Sequence, residues 1–185
     1  MTSQPLSPAG AVLVLADHQT GVLEHVVKVP PREEVEANVL KLARAAAKLD
    51  MPAIFTTSDE AQNGTLLPSL EQAMPAAFAK RIQRRGTIDA LADPGVAQAL
   101  AASERRQVII AGIGTEVCGV APALHAQRDG YQVTFVADAC GSPTALGQDI
   151  SLRRLTAEGI TIATTATVIA ELAGNYTAYT QIMRE

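Results

Sequence analysis

AVLVLAD, residues 11–17, decides the fold. The run is apolar at six successive positions without polar alternation. That is how a strand buried on both faces reads, and such strands belong to parallel sheets covered by helices on each side. The run closes on Asp17, which is therefore placed at the carboxyl end of the strand, where the chain leaves the sheet.

Working outward, residues 33–49 carry Val35, Val39, Leu42 and Ala46 on one helical stripe with acids in the first turn, which predicts an amphipathic helix. PAIFTT (52–57) follows as a second strand. Residues 63–75 read as irregular or weakly helical, and FAKRIQRRG (78–86) as a short strand leaving the sheet around Arg84. A helix over 93–103 with Pro94 near its start leads into the strand QVIIAG (107–112), and a helix is predicted over 116–128. YQVTFVAD (131–138), the loop CGSPTALG (140–147), a helix near 147–157, the strand ITIAT (160–164) and a last helix from about 167 complete the chain. Six strand and helix units imply an α/β fold with a six-stranded, mostly parallel, doubly wound sheet.

At 185 residues, with no repeat or linker, the whole of 1–185 reads as a single domain. The aromatics are three Phe, three Tyr and no Trp, which leaves few residues for stacking bases, and the net charge is −4 with cations scattered apart from Lys80–Arg85. Nucleic acid is not the expected partner. No segment reaches the ~20 apolar residues of a membrane span and the start lacks a signal pattern, so the expected location is cytoplasmic and membrane partners are not expected. Two cysteines, Cys118 and Cys140, do not make a disulfide framework or a zinc pattern.

In open α/β sheets, reactive groups gather beyond the carboxyl ends of the strands. Asp17 and Cys118 both belong to that edge. A thiol in the first turn of a helix feels the positive end of the dipole, which favours thiolate, and a cation from Lys80, Arg81, Arg84 or Arg85 would favour it further. Cys118 is then a nucleophile; equally, a free cysteine is often just a small buried hydrophobe. Cys140 reads as structural. His18, His25 and His125 show no triad spacing, and His125 reads as an ordinary partly buried residue.

Together, ADHQTGVLEHV (16–26), IIAGIGTEVCGVAPAL (109–124) and GYQVTFVADACGS (130–142) resemble the isochorismatase-like cysteine hydrolases, most closely their YcaC-like branch. TTSDEAQNG and RRGTIDALAD fit the spacing. The resemblance covers about residues 10–172 and implies a three-layer α/β/α fold. It further implies a catalytic Asp17, Arg84 and Cys118, a cis peptide between Ile113 and Gly114, and an oxyanion hole from the N–H groups of Gly114 and Cys118. Most of the wider family has lysine where Arg84 stands, which keeps Lys80 as an alternative. Nicotinamidases of this superfamily hold a metal through an Asp and two His after the second strand; TTSDEAQNGTLLP has no His, so no metal and no cofactor is expected.

The implied activity is hydrolysis of a small amide or related acyl substrate through a Cys thioester, by a homo-oligomer. Competing with it are a vinyl ether hydrolase using Asp17 alone, a thiol redox sensor and a non-catalytic α/β module. The lack of GxGxxG after AVLVLAD weighs against dinucleotide binding.

Overall fold

In the computed structural model, which describes residues 4–184, six parallel strands form one sheet in the order β3-β2-β1-β4-β5-β6. They are β1 (Ala11–Ala16), β2 (Ala53–Ser58), β3 (Ile82–Arg84), β4 (Gln107–Gly112), β5 (Gln132–Val136) and β6 (Thr161–Ala163). Burial follows position in the sheet. Every residue of the central β1 and β4 is buried, whereas the edge strands β3 and β6 are short and partly exposed. A continuous apolar run suits only the first situation, which is why AVLVLA and QVIIAG are legible as central strands. The sheet is parallel throughout.

The helices are α1 (Thr20–Val26), α2 (Arg32–Lys48), α3 (Glu60–Asn63), α4 (Pro68–Ala73), α5 (Pro75–Ala79), α6 (Pro94–Ala102), α7 (Val120–Arg128), α8 (Ala145–Ala157), α9 (Thr165–Ala173) and α10 (Tyr176–Met183). α2, α9 and α10 pack together on one face; α6, α7 and α8 cover the other. On α2 the stripe Val35, Val39, Leu42, Ala43 and Ala46 is buried, and Glu33 and Glu34 sit in the first turn, where the helix dipole favours them. α6 starts on Pro94 behind the cap Asp93, whose side chain accepts from the Gly95 amide.

Two stretches differ from the expectation. Residues 63–75, read as irregular or weakly helical, lie among the short helices α3, α4 and α5, two of them started by prolines at 68 and 75. Pieces of four to six residues are too short for periodicity to reveal. The helix expected from residue 116 is a π-helical turn, Thr115–Gly119, with α7 beginning only at Val120. Cys118 therefore sits in the π turn, not in the first turn of α7.

From β1 the chain adds strands outward to β3 and then returns to add β4 on the other side of β1, so the winding switches between the neighbours β1 and β4, where the crevice of a doubly wound sheet opens.

Candidate active site

Three strands deliver one cluster to that crevice. Asp17 follows β1, Arg84 ends β3, and Cys118 follows β4. β3 lies two strands from β1, a lateral distance of about two strand spacings of ~4.8 Å, so only a long side chain can bridge it. Arg84 does. Its Nη2 donates to Asp17 Oδ2 and its Nη1 to the Thr87 carbonyl at 2.5 Å, with both side chains of the Arg84–Asp17 pair fully buried. From the intervening β2, Thr56 Oγ1 donates to Asp17 Oδ1 at 3.1 Å. Arg84 Nε, also buried, has no partner among the described residues. The Cys118 thiol lies beside both the Asp17 carboxylate and the Arg84 guanidinium and feels the charge of each.

The three residues leaving β1 each tie down a different loop. Asp17 adopts a left-handed backbone (φ 62°), a conformation that Asp and Asn tolerate better than other non-glycine residues. His18 is buried, with Nε2 2.9 Å from the Ala139 carbonyl beyond β5. Gln19 accepts from the Ser58 amide at 2.7 Å and donates to the Gly64 carbonyl at 2.5 Å, fastening the loop after β2. Composition and periodicity assign no role to His18, Gln19 or Thr56. Three polar residues in direct succession after a buried strand were the available signal.

The Ile113–Gly114 peptide is cis, and beyond it the Thr115 amide donates to the Gly141 carbonyl at 2.9 Å, joining the π turn to the loop after β5. The Gly114 amide donates to no main-chain carbonyl among the described residues. Gly112 has no alternative here: a Cβ would lie 2.6 Å from the Cys118 carbonyl oxygen, so only glycine lets the cysteine's backbone rest on the end of β4.

The electrostatics reverse the expectation of a thiol poised as thiolate. Burial, then the adjacent Asp17 carboxylate, pushes the Cys118 thiol up to about 12, against the opposing pull of Arg84. A cation already paired with a carboxylate cannot favour a second anion as a free one would. A thiol raised this far is protonated near neutral pH, beside the Asp17 carboxylate. Lys80 is exposed at the end of α5, before β3 begins, whereas Arg84 is the cation that reaches Asp17.

Cys118 is half-buried and opens onto a cavity of about 450 Å³ whose walls include Val22, His25, Val26, Asn63, Glu116, Val117 and Pro143. Cys140 is fully buried with its sulfur accepting from the Gly112 amide at 3.3 Å. His125 lies apart from the cluster, 2.7 Å from Asp89. Iodoacetamide should therefore label Cys118 at least ~100-fold faster than Cys140, through access and not acidity, with the Cys118 rate still climbing above pH 9. Peptide mapping of the labelled protein checks this; equal rates, or a plateau near pH 7, would contradict it.

Burial also lowers His18 to about 4 from an ordinary 6.5. Above pH 6.5 the imidazole is neutral in both folded and unfolded chains; between 6.5 and 4 only the unfolded chain takes the proton. The His18 contribution is thus complete above pH 6.5 and is lost as pH falls towards 4, by about 3 kcal/mol. Urea titrations at pH 7 and pH 4 should show this loss, and His18→Gln should flatten it.

Among the described residues, no group of three or more His, Cys, Asp or Glu is placed to hold a metal ion. Nor is any helix among them long and apolar enough to cross a membrane.

Comparison with known proteins shows the family and the fold. Residues 11–167 match the Isochorismatase domain family. The chain is 36% identical over 163 residues to the probable hydrolase YcaC of Escherichia coli, covering 88% of this chain and 77% of that protein. YcaC from Pseudomonas aeruginosa, solved with hexane-2,5-diol and covalent acrylamide, superposes with a TM-score of 0.92 at 34% identity, covering 99% of this chain and 92% of the other. The E. coli YcaC structure, an octameric hydrolase of unknown specificity, gives a TM-score of 0.91 at 33% identity over 99% and 90% of the two chains.

Proposed function

Since the chain belongs to the isochorismatase family of hydrolases, we propose that it is a cysteine hydrolase cleaving a small amide or related acyl compound through a thioester on Cys118. The observation that carries this reading is the Cys118 thiol set beside the buried Asp17–Arg84 pair while facing a cavity of small-molecule size.

In this mechanism Asp17 takes the proton of Cys118 as the sulfur attacks the carbonyl carbon. The N–H groups of Gly114 and Cys118 hold the developing oxyanion. Asp17, now protonated, is neutral, so Arg84 is released to stabilise the sulfur. The same carboxyl then returns its proton to the leaving amine, and the C–N bond breaks to leave the thioester. Water attacks that thioester with Asp17 again accepting the proton, and Cys118 leaves as thiol. Arg84 takes no proton, because its guanidinium stays charged, and Thr56 keeps Asp17 aimed.

A redox-sensing role fits poorly with a thiol held protonated, since oxidation by peroxide proceeds from the thiolate. A single cytoplasmic domain acting on a small molecule as a homo-oligomer completes the proposal; the similar E. coli protein is octameric, and Ile88, Leu146 and Ile150 leave apolar surface exposed.

A panel of short-chain primary amides and esters, assayed for release of ammonia or alcohol, tests it. Turnover of acyl substrates that disappears in Cys118→Ala is expected. Cleavage confined to vinyl ethers, at full rate in Cys118→Ala, would overturn it.

A further inference from the structure

The cavity beside Cys118 contains a carboxylate that the mechanism does not use. Glu116, two residues before the nucleophile, lines its wall together with the apolar Val22, Val26, Val117 and Pro143 and the imidazole of His25. Among the described residues, neither lysine nor arginine lines it. The charge of Arg84 is already matched by Asp17, so Glu116 is the acidic side chain this wall presents to a bound molecule; on its other side it borders a second cavity that Arg128 and Arg154 also line.

Its position is built rather than incidental. Oε2 accepts from Ser142 Oγ at 2.7 Å, on the loop that also pairs with Val29. Oε1 rests against Gly147 in the first turn of α8, where a Cβ would overlap the carboxylate; glycine there leaves a notch for Glu116. The α8 N-terminus further favours an anion at this spot. Oε2 also lies 3.8 Å from where a Cβ on Gly114 would project. The carboxylate is thus held at the edge of the reaction centre, with one oxygen anchored and acceptor capacity left for a ligand.

We propose that Glu116 is the specificity-determining residue of this site, selecting substrates that carry a cationic or N–H donor group beside the scissile carbonyl and turning away carboxylates. This deepens the cysteine-hydrolase reading and rests on it for the word substrate. The pocket has apolar walls for a short aliphatic portion and one fixed anion for the donor. An anionic substrate would meet Glu116 with no cation in the wall to offset the repulsion.

Charge-matched thiol reagents test the selection without requiring turnover. At pH 8, Cys118 is modified by three methanethiosulfonates: cationic trimethylammonioethyl, anionic sulfonatoethyl and neutral methyl. In each case the thiol proton passes to base, the sulfur attacks the sulfenyl sulfur and methanesulfinate leaves. Rates are divided by those of a small free thiol. The wild-type protein should favour the cationic over the anionic reagent by about tenfold or more, shrinking in high salt. Glu116→Gln should slow the cationic reagent and speed the anionic one, leaving the neutral reagent within about twofold.

If Glu116 serves only to anchor the Ser142 loop, its replacement changes all three rates together, and that result overturns the proposal. A wild-type protein with no cationic preference overturns it as well, independently of whether any variant folds. Failure of the hydrolase reading would show differently: charge-selective labelling with no acyl substrate turned over.

Discussion

Cys118→Ala is expected to lower kcat by about 10⁴- to 10⁶-fold, the range seen when a covalent nucleophile is removed and only binding and oxyanion stabilisation remain. The loss should be entirely chemical. Cys118 is half-buried at the cavity, so exchanging its thiol for hydrogen opens no core void, and the Asp17–Arg84 pair persists without it. Tm should shift little and KM should not rise in proportion. Cys118→Ser keeps a donor for Asp17 but offers a far weaker nucleophile, and it should be nearly as impaired. Turnover surviving in the alanine variant would mean that Asp17 works without a covalent intermediate.

Asp17→Asn carries two separable costs. As the general base used in both half-reactions, its loss should cut the rate by about 10²- to 10⁴-fold. The backbone need not change, because asparagine also tolerates the left-handed conformation that Asp17 adopts. The ion pair is another matter. Arg84 and Asp17 are both fully buried, so the amide leaves a guanidinium uncompensated in the interior, a situation that typically costs 3–5 kcal/mol, here by analogy about the same. A near-isosteric exchange is thus strongly destabilising. Pairing it with Arg84→Met removes the stranded charge and should recover most of the stability, as urea midpoints would show, while activity stays lost. Recovery of activity along with stability would demote Asp17 to a structural carboxylate.

The sheet was legible in the chain because burial leaves a direct trace: AVLVLA, and QVIIAG after its first residue Gln107, are unbroken by polar side chains, and both became central strands. Asp17 and Cys118 were legible for a topological reason, since both follow such runs. The local structure at Cys118 was not. A π turn differs from an α turn by one residue in its hydrogen bonding, and five residues carry too little periodicity to tell them apart. The thiol's electrostatics run against the helix-end expectation because burial and a neighbouring carboxylate outweigh the dipole. Segment spacing pointed to Arg84 and left Lys80 as the alternative. The choice depends on which residue ends β3, and that strand is only three residues long. Arg81 instead pairs with Glu60 at 2.7 Å on the outer side of the same loop. Glu116 escaped notice since its meaning lies in Ser142 and Gly147, distant in sequence.

The thioester is tested most directly by rapid-quench mass spectrometry of the intact protein, using a small activated ester whose acylation outruns deacylation. The expected result is one acyl group per chain, equal in mass to the substrate less its alcohol, mapping to the peptide that contains Cys118. Steady hydrolysis of the same ester with Cys118 unmodified at every quench time would contradict the account.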